Sequence, residues 1–344
     1  MKQDSVANDS GYNDNRLTQL DVKDLHTHFF TNDGTVQAVD GVSFTLSPGQ
    51  TLGLVGESGC GKSVTALSIL QIVQQPGKIV HGSILWRTKH NALVDICKLG
   101  AKSGAMRAIR GDEIAMIFQE PMTSLNPVLT VGYQIMEVIA LHQKVRKKEA
   151  RERAVEMLSK VGFPAPEQKA DSYPHQLSGG LRQRAMIAMA ISCQPSLLIA
   201  DEPTTSLDVT VQAQILELMA KLRQEMGMSI LIISHNFGVI NELADNVAVM
   251  YLGQIVEQAG VRTVLEAPRH PYTQALLRSV PVLGSRVRER LNPVEGTVPT
   301  PINIHRGCRF FSRCREHMSK CENEDPPVVA VELDHMVRCW LYDR

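Results

Sequence analysis

The chain lacks the features that would mark it as an integral membrane protein or a nucleic-acid binder. No apolar run approaches the ~18 residues needed to span a bilayer, the best being short stretches at 197–200 and 230–233. Any membrane role is therefore expected to come through a partner. Net charge is also absent: 36 basic and 36 acidic residues cancel, which argues against nucleic acid as a ligand, since such binders carry a basic excess. Residues 1–16 are polar (Asp4, Asn8, Asp9, Asn13, Asp14 and Asn15 among them) and lack the basic-then-apolar order of a signal peptide, so they read as a disordered tail. What the chain has is apolar mass. At 344 residues and 43% hydrophobic composition it can build a full core without staples, as about two domains or one large domain with additions.

The seven cysteines are unevenly placed. Cys60, Cys97 and Cys193 are scattered, whereas Cys308, Cys314, Cys321 and Cys339 crowd the C-terminal end. Without an export signal, such a cluster reads as a metal or iron–sulfur site rather than as disulfides.

Chemistry enters with Gly56-Glu57-Ser58-Gly59-Cys60-Gly61-Lys62-Ser63, a complete G-x-x-x-x-G-K-S loop. It follows the apolar run 51–55, which predicts a buried strand, and precedes a helical pattern from Val64 to Ile72. Backbone amides of such a loop wrap phosphates, Lys62 reaches the outer ones, and the Ser63 hydroxyl suits Mg²⁺. A second apolar strand, 196–200, ends in Asp201 and Glu202. Asp201 suits the Mg²⁺ shell, and Glu202, pointing another way, can polarise a water as general base.

Between these two segments lie about 130 residues, far more than a crossover between neighbouring parallel strands needs. The insert opens on the strand-like 114–118 followed by Gln119. Ala150, Ala154, Met157, Leu158 and Val161 fall at helical spacing beside a charged face at 147–153. It closes on Leu177-Ser178-Gly179-Gly180-Leu181-Arg182-Gln183-Arg184. Ser178 and two glycines before an apolar helix make a phosphate-binding turn, although by itself the segment could be only a helix cap.

The order of P-loop, Gln119, Leu-Ser-Gly-Gly, strand-Asp-Glu, Ser206-Leu207-Asp208 and finally His235 after the strand 229–234 resembles the nucleotide-binding domain of ABC transporters. The resemblance implies that Gln119 senses Mg²⁺ and the attacking water, that Asp208 crosses a dimer interface, that His235 holds the γ-phosphate, and that Phe29 stacks on adenine. It also implies that two such domains meet head to tail, each ATP lying between the P-loop of one and the Ser178–Gly180 segment of the other. Glu120-Pro-Met-Thr-Ser-Leu-Asn-Pro127, Tyr173-Pro-His-Gln176, Asp208-Val-Thr-Val-Gln-Ala-Gln214 and Arg269-His270-Pro-Tyr-Thr-Gln-Ala-Leu-Leu277 resemble, more narrowly, the ATPase subunits of oligopeptide and dipeptide importers. Ser206 stands where an alanine is more usual.

The four late cysteines are separated by five, six and seventeen residues. Zinc sites usually show short C-x₂₋₄-C pairs, so spacing leans slightly towards iron–sulfur and leaves Zn²⁺ as the alternative. The resemblance implies a [4Fe-4S] cluster on all four.

The expected fold is an α/β P-loop core at 17–259 with a small antiparallel β lobe and a helical insertion at about 119–184, followed by a cysteine-rich extension at 260–344. Residues 246–259 read as a hairpin turning at Gly253, and Val211, Ile215, Leu218 and Leu222 as one face of a helix stopped at Gly227. By resemblance, the chain is an ATPase peripheral to the cytoplasmic face of the membrane, energising a peptide importer. The implied partners are two integral membrane permeases, a second homologous ATPase and an extracytoplasmic solute-binding protein. Relatives of this type also serve nickel, glutathione or oligosaccharides. A soluble ABC ATPase acting on nucleic acid would carry two cores or a long coiled coil, and a switch GTPase an Asn-Lys-x-Asp motif; none of these is visible.

Overall fold

The computed structural model describes residues 18–119, 124–205, 207–279, 294, 296–302, 304 and 306–343. The polar tail 1–16, residues 120–123 of the segment after Gln119, and Ser206 lie outside them.

Twelve strands among the described residues form two sheets. β1 (Leu20–Thr31), β2 (Gly34–Leu46), β4 (Gly77–Arg87) and β5 (Leu93–Asp95) make an antiparallel lobe in the order β2-β1-β4-β5. The main sheet runs β11-β12-β10-β9-β3-β8-β7-β6. Its centre comprises β3 (Thr51–Val55), β6 (Ile114–Ile117), β7 (Leu197–Asp201), β8 (Ser229–Ser234) and β9 (Asn246–Tyr251), paired in parallel. β3, β7 and β8 are buried along their whole length, which is why their sequences are continuous apolar runs rather than alternating ones. Alternation survives in which core each residue enters. Leu198, Ala200, Ile230 and Ile232 join the core beneath the helical insertion, while Leu197, Ile199, Leu231, Ile233, Leu52 and Leu54 join the core beneath the β lobe.

The helices are α1 (Lys62–Ile69), α2 (Gly104–Ile109), α3 (Val131–Gln143), α4 (Lys147–Lys160), α5 (Pro166–Lys169), α6 (Gly179–Ile191), α7 (Val209–Met226), α8 (Phe237–Leu243), α9 (Val261–Glu266), α10 (Pro271–Arg278) and α11 (Lys320–Asn323). α1 starts at Lys62 and ends at Ile69, earlier at both ends than the apolar pattern suggests, because Gly61 is already the N-cap. α4 buries Ala150, Ala154, Met157 and Leu158 on one face, as its spacing requires. α7 ends where Gly227 takes a left-handed conformation, φ 65°.

The last residues return to the main sheet. β10 (Gln254–Gly260) closes a hairpin with β9 across Gly253, and its free edge is covered by β12 (His335–Arg338), itself paired with β11 (Val328–Glu332). The buried Glu257 carboxylate accepts hydrogen bonds from the backbone amides of Arg269 (2.7 Å) and His270 (2.9 Å) and pairs with His335 Nε2 (2.8 Å). One carboxylate thus ties the segment entering α10 to the C-terminal hairpin. The hairpin thereby covers the edge of β10 and leaves the short β11 as the outermost strand of the sheet.

Candidate functional site

The P-loop leaves the central strand β3 and runs into α1, so the sheet aims it at the N-terminus of that helix. Gly61 has φ 100°, and a Cβ there would lie 2.1 Å from the Ala38 carbonyl oxygen; only glycine allows β2 to approach the loop this closely. Gly59 is also left-handed, φ 79°, but faces open space. The buried Lys62 ammonium donates to the carbonyls of Gly56 (2.7 Å) and Glu57 (2.9 Å), with Cys60 Sγ at 3.6 Å. Burial pushes the Cys60 thiol up, against the pull of Lys62, so Cys60 packs as a neutral side chain.

At the ends of β6, β7 and β8 three sequence-predicted residues meet on one carboxylate. Glu202 Oε2 accepts from Gln119 Nε2 (3.1 Å), and Glu202 Oε1 lies 3.1 Å from His235 Nδ1. Thr205 Oγ1 donates to Oε2 at 2.8 Å. Glu202 has φ 47°, a left-handed conformation that a non-glycine residue adopts at a cost; it turns this side chain out of the strand direction that Asp201 keeps. Burial alone would raise the Glu202 carboxyl, but hydrogen bonds from His235 and Thr205, with the charges of His235 and Lys62, hold it below the usual carboxylate range. It is an anion at neutral pH.

Asp201 differs. Burial raises its carboxyl and the Glu202 charge adds to that, while the Ser63 hydroxyl and Lys62 oppose them. Asp201 Oδ1 is buried without a hydrogen-bond partner. An orphaned carboxylate oxygen beside the P-loop serine is an oxygen-donor set that fits Mg²⁺.

Ser178 caps α6, its hydroxyl accepting from Leu181 N at 3.4 Å. Ser178 and Gly179 are exposed, and among the described residues no hydrogen bond joins this segment to the P-loop of its own chain. Asp208 caps α7, accepting from Val211 N at 2.9 Å. The two caps are neighbours: a Cβ on Gly179 would meet Leu207 Cδ2 at 3.7 Å, and one on Gly180 would meet Val211 Cγ1 at 2.9 Å. Phe29 lies half-buried in β1, packed over Gly77, whereas its neighbour Phe30 is 49% exposed.

The structure places Glu57 unexpectedly. Its backbone belongs to the P-loop, but its carboxylate forms a two-pronged ion pair with Arg313 (2.7 and 3.0 Å), and its amide donates to Tyr272 Oη (2.9 Å). Sequence reasoning missed Thr205, Tyr272 and Arg313. Tyr272 follows His270-Pro271 and Arg313 adjoins Cys314, so both stood within singled-out segments, but nothing local shows which distant group they touch.

Cys308, Cys314, Cys321 and Cys339 line one cavity with His270, Phe310 and Phe311. Burial raises the Cys308 thiol to about 12, and the three other cysteines push in the same direction. Among the described residues, the one group of three or more His, Cys, Asp or Glu ligand atoms lying within 4.8 Å of one another is His26, His28 and Asp40. The four sulfurs therefore surround their cavity without meeting that spacing.

The ABC transporter family profile matches residues 39–205, and the profile of the oligopeptide/dipeptide transporter C-terminal region matches 256–321. The oligopeptide transport ATP-binding protein AppD of Bacillus subtilis is 52% identical over 95% of this chain and 97% of its own length. The dipeptide transport ATP-binding protein DppD of the same organism is 48% identical over 94% of this chain and 95% of its own. Among solved structures, the dimeric post-hydrolysis state of the ATP-binding cassette MJ0796, bound to ADP and Pi, superposes with a TM-score of 0.62 at 25% identity, covering 71% of this chain and 99% of that one. With matches of this extent at both ends of a P-loop α/β core, the chain belongs to the ABC transporter ATP-binding proteins of the oligopeptide/dipeptide type.

Proposed function

We propose that this chain is the ATP-hydrolysing subunit that energises import of peptides. The observation that carries the reading is the Glu202 carboxylate, anionic and held by Gln119, Thr205 and His235 next to the Ser63–Asp201 pair. ATP phosphates sit on the loop 56–63 at the α1 N-terminus, with Lys62 on the outer ones and the adenine against Phe29. Ser63 and Asp201 would hold Mg²⁺, with Gln119 beside them, and the bound ion would supply neutralisation of the phosphate charge. Glu202 accepts a proton from the attacking water, Gln119 and His235 orient the carboxylate and the γ-phosphate, and ADP leaves as the terminal P–O bond breaks. The exposed Ser178–Gly180 turn and Asp208 serve the nucleotide of a second ATPase chain. Binding then closes the pair and hydrolysis releases it.

The described residues contain no helix long and apolar enough to cross a membrane. In the same proposal, two integral membrane permeases carry the solute, with an extracytoplasmic binding protein delivering it, as the kinship with peptide-transport ATP-binding proteins supports. The names of the relatives favour peptides over the nickel, glutathione and oligosaccharide alternatives. Glu202→Gln is expected to bind ATP and to hydrolyse it ~10²–10⁴-fold more slowly; wild-type turnover in that variant would refute the role.

The extension 260–344 holds a [4Fe-4S] cluster on Cys308, Cys314, Cys321 and Cys339 in the same proposal. A single Zn²⁺ on the same four thiolates is the alternative. Such a cluster would supply an oxidation-sensitive cross-link. Anaerobic purification is expected to give a brown protein with four irons per chain, and a colourless one with stoichiometric zinc would overturn the assignment.

A further inference from the structure

Glu57 is held at three points. Its carbonyl accepts from Lys62 Nζ, its amide donates to Tyr272 Oη, and its carboxylate is gripped by Arg313. Two of the three holds come from the C-terminal extension. Arg313 is itself tightly fixed: its side chain is 4% exposed, its guanidinium lies over the rings of Tyr251 and Phe310, and the carbonyls of Val294 and Gly296 accept from it at 3.3 and 3.2 Å. A planar fork on a carboxylate fixes direction as well as distance, which a lysine would not do.

The backbone that aims this arginine is the turn between two of the four cysteines. Cys308 N donates to Cys321 O (2.7 Å), Phe311 N to Cys308 O (2.9 Å), and Arg313 N to Phe310 O (3.0 Å). Arg309, next to Cys308, reaches the other side of the loop's surroundings, pairing with Asp40 and donating to the Leu252 carbonyl and to Gln37 Oε1. Anything that moves the sulfurs apart or leaves them unbridged acts on a turn of seven residues, 308–314, whose two arginines brace the P-loop and the strand β2 behind it.

We propose that Arg313 is a positioning residue for the P-loop, through which the condition of the four-cysteine cavity sets nucleotide affinity. The inference rests on the reading of the chain as an ATPase, and the experiment separates the two. Full-length protein is titrated with trinitrophenyl-ATP, and steady-state ATPase rates give KM and kcat, for wild type, Arg313→Gln, Arg313→Lys, Glu57→Gln, Cys321→Ser and the pair Arg313→Gln/Cys321→Ser. Arg313→Gln and Glu57→Gln are each expected to weaken binding about five- to tenfold, within the usual range of coupling between sites, with KM rising more than kcat falls. Arg313→Lys, lacking the fork, recovers only part of the loss. Cys321→Ser, which does not touch the loop, is expected to weaken binding in wild type and to add nothing once Arg313 is gone. A folded Arg313→Gln protein with wild-type affinity, or losses that add in the double variant, would overturn the coupling. Should Arg313→Gln fail to fold, Glu57→Gln with and without Cys321→Ser makes the same comparison from the half-exposed end of the pair. Wild-type protein that does not bind the probe would refute the ATPase reading instead.

Discussion

Replacing Gly61 and Gly59 separately with alanine measures how much of the P-loop's stability depends on the close approach of β2. Both residues are left-handed, at φ 100° and 79°, so each substitution carries the conformational penalty of a side chain in that region, ~1–2 kcal/mol. The surroundings differ. An alanine methyl at 61 would sit 2.1 Å from the Ala38 carbonyl oxygen and 2.9 Å from Met250 Cε, whereas at 59 it meets nothing within 4 Å. Relieving the first overlap requires about an ångström of movement by a backbone carbonyl, and forced overpacking costs a further ~1–3 kcal/mol. Gly59→Ala should therefore lose ~1–2 kcal/mol and Gly61→Ala ~2–5 kcal/mol, a large share of a typical total of ~5–15 kcal/mol. Urea unfolding of the full chain by circular dichroism, without nucleotide, reads both values, and the ATP affinity of Gly61→Ala should fall further than that of Gly59→Ala. Equal losses within about 0.5 kcal/mol would show that the contact with Ala38 contributes nothing and that the close approach is not needed.

Two further outcomes are expected. Because hydrogen bonds and charge hold the Glu202 carboxyl below the usual range, the base is ready at neutral pH, and kcat should fall only as pH drops through that lowered value. His235→Ala leaves burial less opposed, so the acid limb of its residual activity should move to higher pH; an unmoved limb in a pH–kcat profile would separate His235 from the base. Glu257→Ala leaves the buried donors at Arg269 N, His270 N and His335 without their acceptor, which should cost ~3–5 kcal/mol. Chemical denaturation measures the loss, and limited proteolysis should release the C-terminal segment first.

The sequence displayed whatever chemistry is packed into consecutive residues. Phosphate cradles at 56–63 and 178–180 are single turns whose glycines and hydroxyls must be adjacent to work, and β3, β7 and β8 are buried on both faces, so their runs are visibly apolar. Gln119, Glu202 and His235 were also legible, because each ends a strand of one parallel sheet and its order along the chain carries the family resemblance. Contacts between remote segments were not. The partner of Glu57 lies 256 residues away in Arg313, and charge pairing at that range leaves no periodicity to find. The β11–β12 hairpin was equally hidden, since its strands are only five and four residues long and the strand they extend, β10, is remote in sequence, Gln258 pairing with Met336. Phe29 shows the same limit from the other side. An aromatic at that place was visible, but which of two adjacent rings keeps an open face depends on Gly77, a residue on another strand.

The packing of the Ser178–Gly180 turn bears on how a second chain would be sensed. The space a Cβ would fill at Gly179 and Gly180 is bounded by Leu207 and Val211, so the turns that cap α6 and α7 lie side by side, and each uses its own side-chain oxygen to hold its own helix. At 3.4 Å, the Ser178 bond is the longer of the two, and the hydroxyl, which only accepts in it, keeps its proton to donate to a phosphate oxygen. In the proposed assembly, therefore, Gly180→Ala, whose methyl would lie 2.9 Å from Val211 Cγ1, is expected to displace the turn that offers Ser178 to the partner's nucleotide, and unchanged ATPase activity in that variant would show that the close packing here is not needed.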